Sequence, residues 1–348
     1  MLTPGYLDNY LNLFIAIVII LIKAIVVVSV VMLHVAYATY FERKVVGHMQ
    51  VRLGPMRVGP HGLLQPVADM MKLLFKEDII PSQADKPIFF SAPVISFFAV
   101  MSSLAVIPFS SGFSIADINV GLLFILAMSS ISAYGIIFAG IASDSKYSFL
   151  GGLRSAAQVL SYEVAMGLSL VGVMMMAGSL NLREIIQAQA AYPYGMFLLP
   201  QLIGGTVFVI SAFAETNRTP FDLPEAESEL VAGYFTEYSG FRFALFYAAE
   251  YVAMIVMASL GTICYLGGWT LPPMITDFFP FLLKVPGIVW FIAKVYFCIF
   301  IYYWVRATIP RYRYDQLMGI GWKVLIPLSI LNILVTGILK MAGVFKAV

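Results

Sequence analysis

Residues 11–36 read LNLFIAIVIILIKAIVVVSVVMLHVA, twenty-six positions whose side chains include one lysine, Lys23, and one histidine, His34. The hydrocarbon core of a bilayer is about 30 Å thick, and about 20 apolar residues of helix cross it. This run is long enough to span and too long for the apolar region of a cleavable signal, and no basic segment precedes it. It is read as a true membrane-spanning helix, and the rest of the chain follows suit. Of 348 residues, 61% are hydrophobic and 11% charged, with a mean hydropathy of +0.90; a soluble domain carries roughly 25% charged residues.

Eight segments have the required length and character: about 11–36, 91–110, 120–142, 157–179, 196–214, 243–267, 286–305 and 324–344. The expected fold is an all-α integral membrane protein, a single polytopic domain over 1–348. The loops at about 41–87, 143–156, 215–242 and 306–323 hold fifteen of the twenty-one basic residues, against Arg183 and Lys284 in the opposite loops. The positive-inside rule places the basic loops in the cytoplasm and both termini on the outer side. Within the first loop, LLQPVADMMKLLFK (63–76) puts Leu63, Val67, Met70 and Leu74 on one helical face and Gln65, Asp69, Lys72 and Lys76 on another, an amphipathic helix lying along the interface. The preceding GPMRVGPHG is a Gly/Pro turn region; no GK[ST] follows, so it is not a phosphate loop.

Three histidines (His34, His48 and His61) lack ligand spacing and are read as local hydrogen-bonding residues. Cys264 and Cys298 lie in apolar segments with no CxxC pair, so neither a metal nor a disulfide framework is expected.

Ionisable groups within the spans are few: Lys23, Glu163, Glu250 and Lys294. Each costs at least about 2.5 kcal/mol at mid-membrane, and such groups mark pathways or paired sites. Glu163 and Glu250 fall at one depth, roughly 10 Å from the cytoplasmic end at 1.5 Å per residue; the lysines fall near the midplane. The expectation is a polar line from the basic side, through a carboxylate layer, toward the two lysines. Structural Glu–Lys pairing inside the bundle is the plainer alternative.

Six of the nineteen acids sit in AETNRTPFDLPEAESELVAGYFTEYSG, 214–240: Glu215, Asp222, Glu225, Glu227, Glu229 and Glu237. A capping box over Asp222 and Glu225 would account for two. It leaves Glu215, Glu227 and Glu229 unexplained. Glu225 and Glu229 are four apart on a helical face, where like charges destabilise, and crowded carboxylates raise one another's pKa toward neutrality. The loop is read as one that holds and releases protons.

This segment resembles the family of membrane H subunits of bacterial NADH–quinone oxidoreductase, respiratory complex I, known in mitochondria as subunit 1. So do ERKVVGHMQVRLGPMRVGPHGLLQPVADMMKLLFKED (42–78), SDSKYSFLGGLRSAAQVLSYE (143–163), FALFYAAEY (243–251) and WVRATIPRYRYDQLMGIGWK (304–323). The resemblance covers essentially the whole chain. It implies a subunit at the junction of a peripheral redox arm and a membrane arm, forming the entrance and lower part of a tunnel in which quinone is the substrate. It implies no flavin, iron–sulfur cluster or metal on this chain. The implied partners are the peripheral-arm quinone-reducing and iron–sulfur subunits at the cytoplasmic loops, small membrane subunits and antiporter-like subunits in the membrane arm, and the bilayer of a bacterial inner membrane, with no nucleic acid. By position, the resemblance makes Arg43, Arg52, Asp69 and Arg218 charged groups of the tunnel and Phe243 and Tyr247 its aromatic lining. Glu215, Asp222, Glu225, Glu227 and Glu229 become the coupling loop, and Glu163 and Glu250 the start of a hydrophilic axis.

Two other readings remain at this stage. A membrane anchor of a related energy-converting hydrogenase, or of another quinone-linked dehydrogenase, would share the fold and part of the acidic loop. A stand-alone ion transporter would also place Glu and Lys in the membrane, but no internal repeat is visible.

Overall fold

A computed structural model describes residues 4–223 and 231–343, with side chains from Asn12 onward. Glu225, Glu227 and Glu229 lie outside the described residues. The described chain is helical, in the order α1 (Pro4–Met49), α2 (Gln65–Phe75), α3 (Lys86–Ser103), α4 (Gly121–Ala142), α5 (Lys146–Ala177), α6 (Leu182–Ala191), α7 (Leu202–Glu215), α8 (Gly240–Tyr265), α9 (Pro273–Phe278) and α10 (Gly287–Thr308). It closes with α11 (Tyr314–Met341). Among the described residues the only β pairing is an isolated bridge between Ser110 and Phe113. An all-helical chain is what the bilayer demands, because a helix satisfies every backbone N–H and C=O within itself.

Seven of these helices, α1, α3, α4, α5, α8, α10 and α11, are long and apolar enough to cross a membrane. The predicted span over 196–214 is the exception. Only α7 forms there, with 14 residues, about 21 Å at 1.5 Å per residue. Pro193, Gly195 and Pro200 break the chain ahead of it, and a proline interrupts a helix by lacking an N–H and clashing with the preceding turn.

Helices α5 and α8 are the most enclosed spans, and α1 the least. Helix α5 packs against α4, α7 and α11, while α3 joins α4 to α8. Gly151 lets the later part of the acidic loop press onto α5. A Cβ there would stand 2.8 Å from the Gly233 Cα and from the Tyr234 N.

Several predicted loops are partly helix. Helix α1 runs on to Met49, α5 starts at Lys146, and α11 starts at Tyr314. Charged side chains shortened the sequence reading of these spans, whereas in the structure the helices carry those charges past the apolar run. A π turn at Gly321–Leu325 interrupts α11. Pro327 explains it: its ring excludes the carbonyl four residues back, and one wide turn relieves the clash. The interfacial helix forms as expected over Gln65–Phe75. Its apolar Val67, Met70 and Leu74 are exposed, while Pro66 is buried against the body.

The histidine reading is right for His48, whose Nδ1 lies 2.7 Å from the Lys44 carbonyl one turn earlier. His34 acts at longer range. Its Nδ1 lies 2.8 Å from the Tyr296 hydroxyl and so joins α1 to α10.

Candidate functional site

Val27, Val31, Val35 and Ala38 form the buried stripe of α1, and the next position in that three- and four-residue rhythm is Glu42, only 4% exposed. Helical periodicity carries the stripe from apolar packing directly onto a carboxylate. Isolated there, an ionised carboxylate would be prohibitively costly. Three groups compensate. Tyr251 on α8 donates a 2.6 Å hydrogen bond to Glu42 Oε2. Arg218, in the loop after α7 and 8% exposed, reaches both carboxylate oxygens at 3.3 Å. Arg306, in the last turn of α10, bonds to Oε1, and the Tyr251 hydroxyl is itself 3.1 Å from that of Tyr247. The Arg218 guanidinium also lies over the Tyr251 ring, 4.2 Å from its centroid. Burial pulls the Arg218 pKa down, but Tyr251, Glu250 and Tyr247 outweigh it and hold the group above its ordinary value.

The neighbouring residue faces the other way. Arg43 pairs with Asp69 of α2 at 2.8 Å, and Gln65 donates to the other Asp69 oxygen at 3.0 Å. The end of α1 thus carries an inward carboxylate and an outward guanidinium side by side. Phe243 and Tyr247, one turn apart on α8, stack with planes 17° apart. Of the predicted tunnel residues, the structure joins Arg43 to Asp69, Arg218 to Tyr247 through Tyr251, and Phe243 to Tyr247. Arg52 stands apart, exposed on the turn that follows α1.

Glu42, Tyr251 and Arg306 escaped the sequence reading as site residues. With the span ending near residue 36, the sequence reading places Glu42 in the loop. The buried rhythm of residues 27, 31, 35 and 38, extended by four, would have found it.

Of the expected carboxylate layer, the structure brings Glu163 and Glu215 close together. Ser130 of α4 donates to Glu163 Oε1. Glu215, at the end of α7, lies within electrostatic range of Glu163 and near the Ser129 hydroxyl. Its Oε2 is buried with no hydrogen-bond partner among the described residues. Glu215 also lines a cavity of about 40 Å³ together with Ser103, Ser129, Ser132 and Ala253. Glu250 is one turn before Ala253 on α8 and accepts a 3.2 Å hydrogen bond from Tyr234. Asp222 binds Arg311 at 3.1 Å, and Phe221 stacks on Tyr312 beside it. Asp222 is therefore held to the loop after α10.

The two membrane lysines do not continue this layer, contrary to the sequence expectation. Lys294 donates to the carbonyls of Leu266, Gly268 and Thr270 at 2.6, 3.0 and 2.6 Å, all in the segment after α8. Lys23 donates to the Ser114 carbonyl, in the segment between α3 and α4. Both segments lie at the helix ends opposite the basic loops. Among the described residues neither lysine pairs with a carboxylate. A flexible four-carbon stem lets each ammonium leave its own depth for the nearest unsatisfied carbonyls.

A second cavity, about 160 Å³, is apolar and lies between α7, α8 and α10, lined by residues such as Phe208, Met257, Gly261 and Phe297. Arg43, Asp69, Phe243 and Tyr247 line neither cavity. The charged and aromatic groups instead lie along α1, α2 and α8, with Arg43 exposed and Asp69, Phe243 and Tyr247 half-buried.

Known proteins share this chain nearly end to end. It is 53% identical over 326 residues to the H subunit of the NADH-quinone oxidoreductase of Rickettsia rickettsii, covering 93% of this chain and 94% of that protein. It is 51% identical over 336 residues to the NADH-quinone oxidoreductase H 1 subunit of Geobacter sulfurreducens, covering 91% and 93%. It is 53% identical over 318 residues to the corresponding H subunit of Brevibacillus brevis, covering 91% and 92%. The sequence model of the family described as NADH dehydrogenase matches residues 22–337, so the polytopic helices and the buried charge cluster at their basic end are those of a chain that belongs to the NADH dehydrogenase family.

Proposed function

We propose that this chain is the membrane subunit of a proton-pumping NADH–quinone oxidoreductase, that it forms the membrane-side wall of the quinone tunnel, and that it couples quinone reduction to proton translocation. The names of its relatives support membership in that complex. The observation that carries the finer reading is the buried Glu42–Arg218–Arg306–Tyr251 cluster, set beside the Arg43–Asp69 pair and the Phe243–Tyr247 stack. An amphipathic ligand needs such a surface. The aromatic faces receive its apolar tail, and the charged groups meet a head group whose charge changes on reduction.

Quinone reduction takes up two electrons and two protons. The redox groups that deliver the electrons belong, in this reading, to the peripheral-arm subunits, which also cover the half-buried face of Asp69, Phe243 and Tyr247. A change of charge at the head group acts first on Arg218 and Glu42, which have little water to screen them. Arg218 is three residues from Glu215, and Glu215 adjoins Glu163. The coupling loop, with Asp222, Glu225, Glu227 and Glu229, shifts protonation with them. From Glu163 and Glu250 the change passes to small and antiporter-like membrane subunits. The host membrane in this reading is a bacterial inner membrane, with the basic loops in the cytoplasm and both termini on the outer side.

The test is purification by a tag on this chain, followed by an assay of NADH-dependent reduction of a short-chain quinone. A large complex should co-purify, and Arg43→Ala or Glu227→Gln should abolish the assay with every subunit retained. A chain that purifies alone, or a complex that evolves hydrogen and ignores NADH and quinone, overturns the proposal.

A further inference from the structure

Between α8 and α10 the chain reads LGGWTLPPMITDFFPFLLKVP, 266–286. Its beginning is fixed to the body. Lys294 holds three of its carbonyls, and the Gln189 side chain accepts from the Gly267 N at 2.9 Å. Pro272 and Pro273 press on Gly195, where a Cβ would come within 2.5 Å of the Pro273 Cδ.

Beyond this rigid base the side chains turn outward. Phe278 is 77% exposed and Leu283 69%, and Met274, Phe279 and Phe281 are exposed with them. Phe279 and Phe281 pack edge to face on each other, their centroids 6.1 Å apart. Burying one such side chain is worth about 1.5–3 kcal/mol, so five left in water would be a heavy cost. Large contiguous apolar patches of this kind mark membrane or protein contacts.

What covers the patch is indicated by its setting. It continues the exposed apolar side of α10, formed by Val289, Ile292, Tyr296 and Phe300, and α10 is one of the helices fit to cross the bilayer. Trp269 and Trp290 flank the segment, the residue type that gathers at membrane–water boundaries. Asp277 and Lys284 are its only charged residues. The prolines at 272, 273, 280 and 286 hold the short α9 and the turn after it in a compact shape instead of a long loop.

We propose that residues 272–285 form an interfacial anchor inserted into the leaflet opposite the basic loops, with Phe278, Phe281 and Leu283 among phospholipid acyl chains. It lies across the membrane from α2, so the chain grips both surfaces of the bilayer. The anchor stands independently of the quinone reading.

The experiment replaces Phe278 or Phe281, and separately Met274, by p-benzoylphenylalanine in the assembled complex in native membranes. Irradiation is followed by mass spectrometry of this chain. Phospholipid adducts at these positions should exceed those at Arg57, in a basic loop, several-fold. Adducts to another protein of the complex, or lipid adducts no more abundant than at Arg57, overturn the proposal. Three separate positions guard against one variant failing to assemble.

Discussion

Tyr251 donates a 2.6 Å hydrogen bond to Glu42 while its ring lies 4.2 Å from Arg218, so one side chain supports both the anion and the cation of a buried pair. Removing one partner of a buried ion pair costs about 3–5 kcal/mol, because the other charge is left uncompensated. A hydrogen bond to a charged group is worth about 1.5–3 kcal/mol. Glu42→Ala should therefore lower the thermal stability and yield of the assembled complex more than Tyr251→Phe. Melting curves and native gels of the tagged complex check the order. Equal effects would mean that the carboxylate is not the centre of the cluster.

The stack of Phe243 on Tyr247 predicts an effect on substrate handling. An aromatic contact is worth about 0.5–1.5 kcal/mol beyond its area, which corresponds to roughly two- to tenfold in affinity. Tyr247→Ala should raise KM for a short-chain quinone by roughly that factor, and Tyr247→Phe, which keeps the ring, should change it little. Steady-state kinetics at fixed NADH settle the matter, and a KM that is unchanged in Tyr247→Ala counts against a tunnel at this place.

Glu163 receives its hydrogen bond from Ser130. With assembly intact, Glu163→Gln should depress proton pumping and quinone reductase activity together, and Glu227→Gln should abolish both. Ser130→Ala should depress both more weakly. Acidification of proteoliposomes alongside NADH oxidation provides both readouts, and full coupled activity in the two glutamine variants would sink the coupling scheme.

Gly151 and Gly167 share α5 but not surroundings. A Cβ at Gly151 meets the backbone of Gly233 and Tyr234 at 2.8 Å, whereas at Gly167 nothing lies within 4 Å. Overpacking against backbone costs about 1–3 kcal/mol or more. Gly151→Ala should reduce the amount of folded complex in membranes, and Gly167→Ala should not. The comparison needs only quantitative immunoblots and a melting curve.

Lys294 makes three hydrogen bonds to backbone carbonyls and none to a carboxylate among the described residues. Lys294→Met should loosen the 266–270 segment, seen as faster proteolysis there, while the ratio of protons pumped to NADH oxidised stays at the wild-type value. A changed ratio would restore the lysine to a proton path.

Apolar runs made the membrane class legible, since any 20-residue stretch free of charge has few alternatives. Helix ends were less so. Arg43 and Lys146 look like loop residues in a one-dimensional reading, but both helices carry them past the apolar run. The same error hid Glu42, whose partners come from α8, α10 and the loop after α7; no local pattern announces contacts 176 and 264 positions away. Arg218, Phe243 and Tyr247 were found through resemblance of whole segments, not through spacing. The lysines misled for a different reason. Depth along a helix locates the Cα, and a lysine side chain then travels several ångströms along the axis to its carbonyls. Pairing Arg43 with Asp69 needed the fold of α2 back onto α1, which turns on the Gly59–Gly62 corner; a Cβ at Gly62 would come within 2.4 Å of the Pro55 carbonyl oxygen.

The shortness of α7 has an electrical consequence. A helix of about 21 Å in a core of about 30 Å leaves irregular backbone at membrane depth, which the Gln158 side-chain amide stabilises by donating to the carbonyls of Ala214 and Phe221. Where such irregular backbone admits water, the insulating layer is thinned, and the membrane voltage falls over the remaining apolar thickness. A full traverse at 100 mV is worth about 2.3 kcal/mol per charge. The Arg218 charge then sits near one plate of a narrowed capacitor, so little of that full traverse lies between it and the basic side.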